Sequence, residues 1–198
     1  MDETRKEGKK EFEPRFTSEL FAWGESLMGV LIAFVIIFTF VVRLFGVDGM
    51  SMYPTLEDRS IMLVSNLGYH PEKGDIVVLR KDGFYSDQPI VKRVIATAGQ
   101  TVDIDFNLGE VYVDGELLDE DYINDYTYRE EGTVFPLTVP EGEVFLMGDN
   151  RNHSNDSRDS SLGTVDTRLL IGKAVFLVFP GRDYLTEQRE FGRIGLLQ

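Results

Sequence analysis

Residues 90–117 read IVKRVIATAGQTVDIDFNLGEVYVDGEL. Three short runs rich in β-branched residues, Ile90–Ala96, Val102–Asp105 and Glu110–Val113, are separated by turn-forming residues. Such runs, bounded by Gly, Asn and Asp, predict strands rather than helices. Val111 to Leu117 places Asp114-Gly115 between two arms, and that dipeptide suits a tight primed hairpin turn. Outward from here, Ile61–Val64, Asp75–Leu79, Glu143–Met147 and Lys173–Phe179 repeat the pattern. Turn signals lie at Lys73-Gly74-Asp75, Lys81-Asp82-Gly83 and Glu141-Gly142. No ten-residue helical period separates these strands, which argues against a parallel α/β sheet and predicts a mostly antiparallel all-β domain.

Ahead of that domain the pattern changes. Ser26 to Val42, SLMGVLIAFVIIFTFVV, is 17 residues without a charge. As a helix it spans roughly 26 Å, against ~30 Å of hydrocarbon in a bilayer. Leu20–Trp23 and Leu44–Phe45 lengthen it, Glu25 and Arg43 can snorkel, and Trp23 suits the interface. A core helix would show a polar face, which Leu27 to Phe38 lacks. A cleavable leader would have a short basic start and a small-x-small site, whereas the run is followed by Arg43-Leu44-Phe45-Gly46-Val47-Asp48. The expectation is one uncleaved membrane helix over residues 20–45. Arg5, Lys6, Lys9, Lys10 and Arg15 precede it and only Arg43 follows closely, so the positive-inside rule puts the N-terminus in the cytoplasm. The expected organisation is a cytoplasmic tail (1–19), a single-pass anchor (20–45), an extracytoplasmic all-β domain (46–182) and a C-terminal tail (183–198).

Charge narrows the partners. Residues 46–198 hold fourteen Lys/Arg and twenty-seven Asp/Glu, a net of −13, while residues 1–45 hold six and seven. A domain so acidic lacks the basic stripe that phosphate binding requires, which argues against nucleic acid. Without cysteine, disulfides, thiolate metal sites and cysteine nucleophiles are excluded. Eight acidic residues between Asp114 and Glu131, opposed only by Arg129, read as a solvated excursion, and no calcium-loop spacing is present.

Two clusters could carry chemistry. Gly49-Met50-Ser51-Met52-Tyr53-Pro54-Thr55-Leu56 sets a serine between methionines, with Gly and Pro shaping the backbone. Gly148 to Arg158, GDNRNHSNDSR, has no aliphatic side chain and follows the apolar Val144–Met147. A nucleophilic Ser51 needs a base within reach. His70, before Pro71, reads as a surface residue; His153 could complete a Ser–His–Asp set. Lys92 alternates with Ile90, Val94 and Ala96, and desolvation on an inner face would favour its neutral amine. Arg93 shares the other face with Val91 and Ile95 and cannot act as a base.

Gly-Met-Ser-Met-Tyr-Pro-Thr-Leu, Lys73-Gly-Asp-Ile-Val-Val, Val91-Lys92-Arg93-Val94-Ile95 and Gly148-Asp-Asn-Arg-x-x-Ser-x-Asp-Ser-Arg together resemble the ordered motifs of bacterial type I signal peptidases, of the compact Gram-positive-like kind. The resemblance covers roughly residues 20–180. It implies an antiparallel fold shared with self-cleaving SOS repressors, Ser51 as nucleophile and Lys92 as general base. It also implies that Ser154 orients the lysine, that Asp156 and Arg158 form a supporting ion pair, and that Asp149 is a structural carboxylate. Backbone N–H groups around Gly49, Met50 and Met52, with that of Ser51, would support the oxyanion. Relatives that add a hydroxyl two residues before the nucleophile differ here, where that position is Gly49. The implied reaction is removal of signal peptides from secretory preproteins after a small-x-small site at the lipid bilayer, with no metal or organic cofactor. A self-cleaving repressor would instead carry a DNA-binding helix-turn-helix, which this chain lacks. A Ser51–His153 hydrolase and a non-enzymatic tethered binding domain are the competing functions. Alanine at both 44 and 46 would, on this reading, create a cleavable site in the anchor.

Overall fold

The computed structural model describes residues 15–36, 38 and 41–197. Two compact units divide the chain at residues 40 and 41. The first contains one helix, α1 (Arg15–Ile36), whose apolar side chains from Phe21 to Ile36 are exposed. Among the described residues no helix is long and apolar enough to cross a membrane. The basic residues before Arg15 lie outside the described residues. The expected 20–45 helix is corrected at both ends: α1 already includes Arg15, and Val42–Gly46 forms strand β1. Val42, Leu44 and Gly46 register against Ser65, Leu63 and Ile61 of β2 (Ile61–Ser65), so that apolar end is consumed by a sheet.

The second unit is antiparallel throughout its named strand pairs, as the punctuated runs predict. After β1 and β2 come β3 (Ile76–Leu79), β4 (Ile90–Thr97), β5 (Thr101–Asp105), β6 (Glu110–Val113), β7 (Glu116–Leu117) and β8 (Leu137–Thr138). They are followed by β9 (Glu143–Met147), β10 (Val165–Asp166), β11 (Leu170–Phe179) and β12 (Gly195–Leu196). The larger sheet runs β1-β2-β11-β3-β4-β9-β10, with β12 added on β11; the smaller runs β7-β6-β5-β8. Asp114 and Gly115, at φ 55° and 80°, make the expected two-residue turn between β6 and β7. Within the expected C-terminal tail, β12 pairs with β11 and Leu197 donates to the Val175 carbonyl.

Three apolar clusters hold these sheets, and alternation along single strands feeds different clusters. Ile76 and Val78 pack with Met52, Leu56 and Met62, whereas Val77 and Leu79 pack with Val94 and Leu146. Ile95, Phe145 and Met147 join the smaller sheet through Val102, Val111 and Val113. β4 is therefore covered on both faces, which is why Lys92 and Arg93 are both buried (3% and 2% exposed). Alternation alone left their faces undecided; neither faces water.

Candidate active site

The serine turn hangs from the core by Met52 and Leu56, both fully buried. Tyr53 N–H donates to the Met50 carbonyl at 3.0 Å and Leu56 N–H to that of Met52 at 2.8 Å. Gly49 takes φ +89°, a left-handed value that only glycine adopts without steric cost, and its N–H donates to Asp58 Oδ1 at 2.9 Å. That N–H is thereby committed elsewhere, which removes Gly49 from the expected oxyanion donors. The Ser51 N–H has no acceptor among the described residues.

Lys92 Nζ stands 2.8 Å from Ser51 Oγ and donates to its neighbour's carbonyl, Val91 O, at 3.0 Å. Desolvation by burial holds the amine down, at about 8, against the pull of Asp156 and Asp149, whose charges favour the ammonium. His153, by contrast, is exposed, and its ring makes no hydrogen bond among the described residues. His70 is exposed as expected.

The polar block Gly148–Arg158 turns inward and grips this pair. Asn150 N–H donates to the Ser51 carbonyl at 3.0 Å, and its Nδ2 to that of Met50 at 3.1 Å. Asp149, fully buried, accepts from Arg93 Nε (2.9 Å) and Nη2 (2.7 Å), and from the Thr55 hydroxyl at 2.5 Å. One carboxylate thus ties β4 to the serine turn. Asp156 and Arg158 form a two-pronged buried pair, both contacts at 2.8 Å, and Asp156 also accepts the Gly148 N–H at 2.9 Å. Arg158, against the cost of burial, keeps the Asp156 carboxyl below its usual range.

Ser154 departs from its expected part. Its hydroxyl is buried at 1% exposure and has no hydrogen-bond partner. Lys92 spends its bonds on Ser51 and Val91, while Ser154 Oγ packs against the bare Cα of Gly148. The acidic excursion is also corrected in part. Glu120 and Glu131 have side chains only 7% and 4% exposed; Glu120 pairs with Arg151, and Glu131 lies 3.0 Å from Arg129 Nη2. The sequence reading gives no part to Thr55, Asn150 or Arg151, although all three lie within quoted motifs, and it weighs Arg93 only as a base, not as the partner of Asp149.

A cleft of about 410 Å³ fronts the pair, walled by Gly46–Ser51 and Gln88–Lys92, with Tyr85, Arg129, His153 and Asn155 adding to the lining. A serine hydroxyl, a buried amine and a free N–H at one wall make an arrangement suited to acyl transfer.

Comparison with known proteins bears on the family. Residues 20–179 match the family model described as signal peptidase, peptidase S26. The probable signal peptidase I-1 of Synechocystis sp. is 39% identical over 163 residues, covering 78% of this chain and 80% of that protein. Signal peptidase I of Bacillus licheniformis is 33% identical over 82% of this chain and 90% of its own. The crystal structure of a signal peptidase I from Enterococcus faecalis is 29% identical, covering 53% of this chain and 97% of that one, at a TM-score of 0.45. The chain belongs to the signal peptidase family, peptidase S26. It is an enzyme of that family, a peptidase that removes signal peptides.

Proposed function

We propose that Ser51 and Lys92 perform this hydrolysis as nucleophile and general base. The observation that carries the proposal is the 2.8 Å contact between Lys92 Nζ and Ser51 Oγ, with the amine desolvated to about 8. With the amine neutral, the Ser51 O–H donates to its lone pair. Oγ attacks the scissile carbonyl as the proton passes to Nζ. The Ser51 N–H receives the developing oxyanion. Nζ then protonates the leaving amine, which departs with the mature protein. A water, deprotonated by Lys92, hydrolyses the acyl-serine and frees the signal peptide.

The remaining assignments follow. Asp149, with Arg93 and Thr55, fixes the serine turn against β4; Asp156 and Arg158 fix Gly148 and the loop. We assign Ser154 to the protonated stage: an ammonium has three N–H groups, and an unpartnered buried hydroxyl has unmet acceptor capacity. The substrate is a secretory preprotein, extended in the cleft with small side chains at the first and third positions before the cut. The chain is placed at the extracytoplasmic face of the cell membrane, anchored in the lipid bilayer by the apolar segment from Leu20, with a cytoplasmic N-terminus. The exposed apolar side chains of α1 and the charge-free run support that placement.

The test is incubation of the purified chain with a preprotein and mapping of the cut by mass spectrometry, for wild type, Ser51→Ala, Lys92→Met and His153→Ala. Wild type and His153→Ala should cut after a small-x-small site, and the other two should not. Turnover by Lys92→Met, or its loss in His153→Ala, would move the base to another residue.

A further inference from the structure

The segment after β11 folds back onto the rear of the serine turn. Arg189 Nη1 donates to the Pro180 carbonyl at 2.5 Å, and its guanidinium carbon lies 4.7 Å over the Phe179 ring. Phe191 packs edge-on against Phe179 at 5.5 Å, and β12 pairs with β11. Between these anchors Arg193 reaches inward. Its Nη1 donates to Glu57 Oε1 at 2.5 Å, and its Nη2 to the carbonyls of Pro54 (2.7 Å) and Thr55 (2.5 Å). The Glu57 side chain is only 3% exposed, so Arg193 neutralises a carboxylate that has almost no water. The same loop is pinned again where Ser60 Oγ accepts from both Glu57 N–H and Gly181 N–H.

Pro54 and Thr55 follow Ser51 by three and four residues, in the turn whose front is held by Asn150 and Asp149. A planar guanidinium meets two backbone carbonyls and a carboxylate at once, which a lysine ammonium on a flexible stem does not reproduce. The family model matches residues 20–179, and Arg193 lies beyond that range.

We propose that Arg193 is a positioning residue, through which the docked C-terminal segment clamps residues 54–57 and holds Ser51 Oγ on Lys92. The proposal rests on Ser51 being the nucleophile. Displacement of an attacking atom by about 1 Å costs on the order of 100-fold in rate.

The test uses the full chain in detergent and steady-state cleavage of a preprotein. Arg193→Ala should lower kcat by about 10- to 100-fold, with KM and the pH midpoint of kcat/KM little changed, because the cleft and the surroundings of Lys92 are untouched. Millimolar methylguanidinium should restore part of the lost kcat, and Arg193→Lys should fall between. Wild-type kcat in Arg193→Ala would overturn the clamp, and so would a loss that methylguanidinium leaves unrepaired while KM rises in step. If Arg193→Ala does not fold, Arg193→Lys decides: reduced kcat at unchanged KM supports the clamp, and wild-type kcat overturns it. Ser51→Ala runs alongside. Turnover there sinks the nucleophile reading and the clamp with it, whereas an inactive Ser51→Ala beside a fully active Arg193→Ala sinks the clamp alone.

Discussion

Gly148 leaves no room for a side chain against Ser51: a Cβ there would overlap the Ser51 carbonyl oxygen and Ser154 Oγ. The first of these contacts is with backbone and cannot be rotated away. The turn carrying Ser51 and the loop behind it are therefore in contact through the absence of a side chain. Asn150, two residues on, hydrogen-bonds the same carbonyl at 3.0 Å. Gly148→Ala must push the serine turn toward the cleft, breaking the contact with Lys92. The expected result is a fall in kcat/KM of about 100-fold or more, with the β-sheet circular dichroism of the wild type. Activity close to wild type would mean that the turn yields without moving Oγ.

If Lys92 is the base as proposed, the amine near 8 sets the pH dependence of turnover. On the proposed mechanism only neutral Lys92 accepts the Ser51 proton, so kcat/KM should climb with pH, pass its midpoint near 8 and level off above it. Asp156 favours the ammonium, so Asp156→Asn should move the midpoint down, provided the loop keeps its fold. A profile still rising above pH 10, or an upward shift in Asp156→Asn, would contradict the assignment.

Stability should move opposite to activity at the same residue. Lys92 falls from its ordinary 10.5 to about 8 in the folded chain, so the unfolded chain binds the proton more tightly. The resulting cost is fully present below pH 8, shrinks as pH rises, and is gone above 10.5. It amounts to roughly 3–4 kcal/mol, since each unit is worth ~1.4. Lys92→Met removes the charge and keeps much of the volume. It should be inactive yet more stable than wild type at pH 7 by up to that amount, with the advantage fading by pH 10. Urea unfolding at the two pH values measures it; a less stable variant at pH 7 would show that Lys92 is well accommodated as the ammonium.

Much of this site is legible in the chain, for physical reasons that also mark where legibility stops. Ile90–Ala96, Glu110–Val113 and Glu143–Met147 announce themselves because runs of four or more residues carry a strand period. β8, β10 and β12 are two residues each and carry none; only their partners define them. β1 misleads because a strand covered by β2 on one edge is as apolar as the end of a membrane helix. Ser51 and Lys92 are found through their residue types and motifs. Glu120 and the Glu57–Arg193 pair escape because burial of a charge depends on a partner far along the chain: Arg151 for Glu120, and Arg193 for the buried Glu57.

The pairing of β1 also changes what protects the chain from itself. Small-x-small selectivity alone predicts that Leu44→Ala with Gly46→Ala creates a site ending at residue 46. Neither change should disturb the fold: Leu44 is 56% exposed, and a Cβ on Gly46 meets nothing within 4 Å. Yet residues 42–46 register with Ser65 through Ile61 over all five positions. A peptidase needs its substrate extended and free to enter the cleft, and a strand already paired in its own sheet is neither free nor cheaply released. The expected outcome is that the Ser51→Ala chain carrying both alanines keeps its N-terminus when mixed with active enzyme. A synthetic peptide of residues 26–56 with the same two changes should be cut after residue 46. N-terminal sequencing of both separates the explanations. Cutting of the folded variant would show that pocket shape alone protects the anchor, and resistance of the peptide as well would show that the new sequence is no substrate.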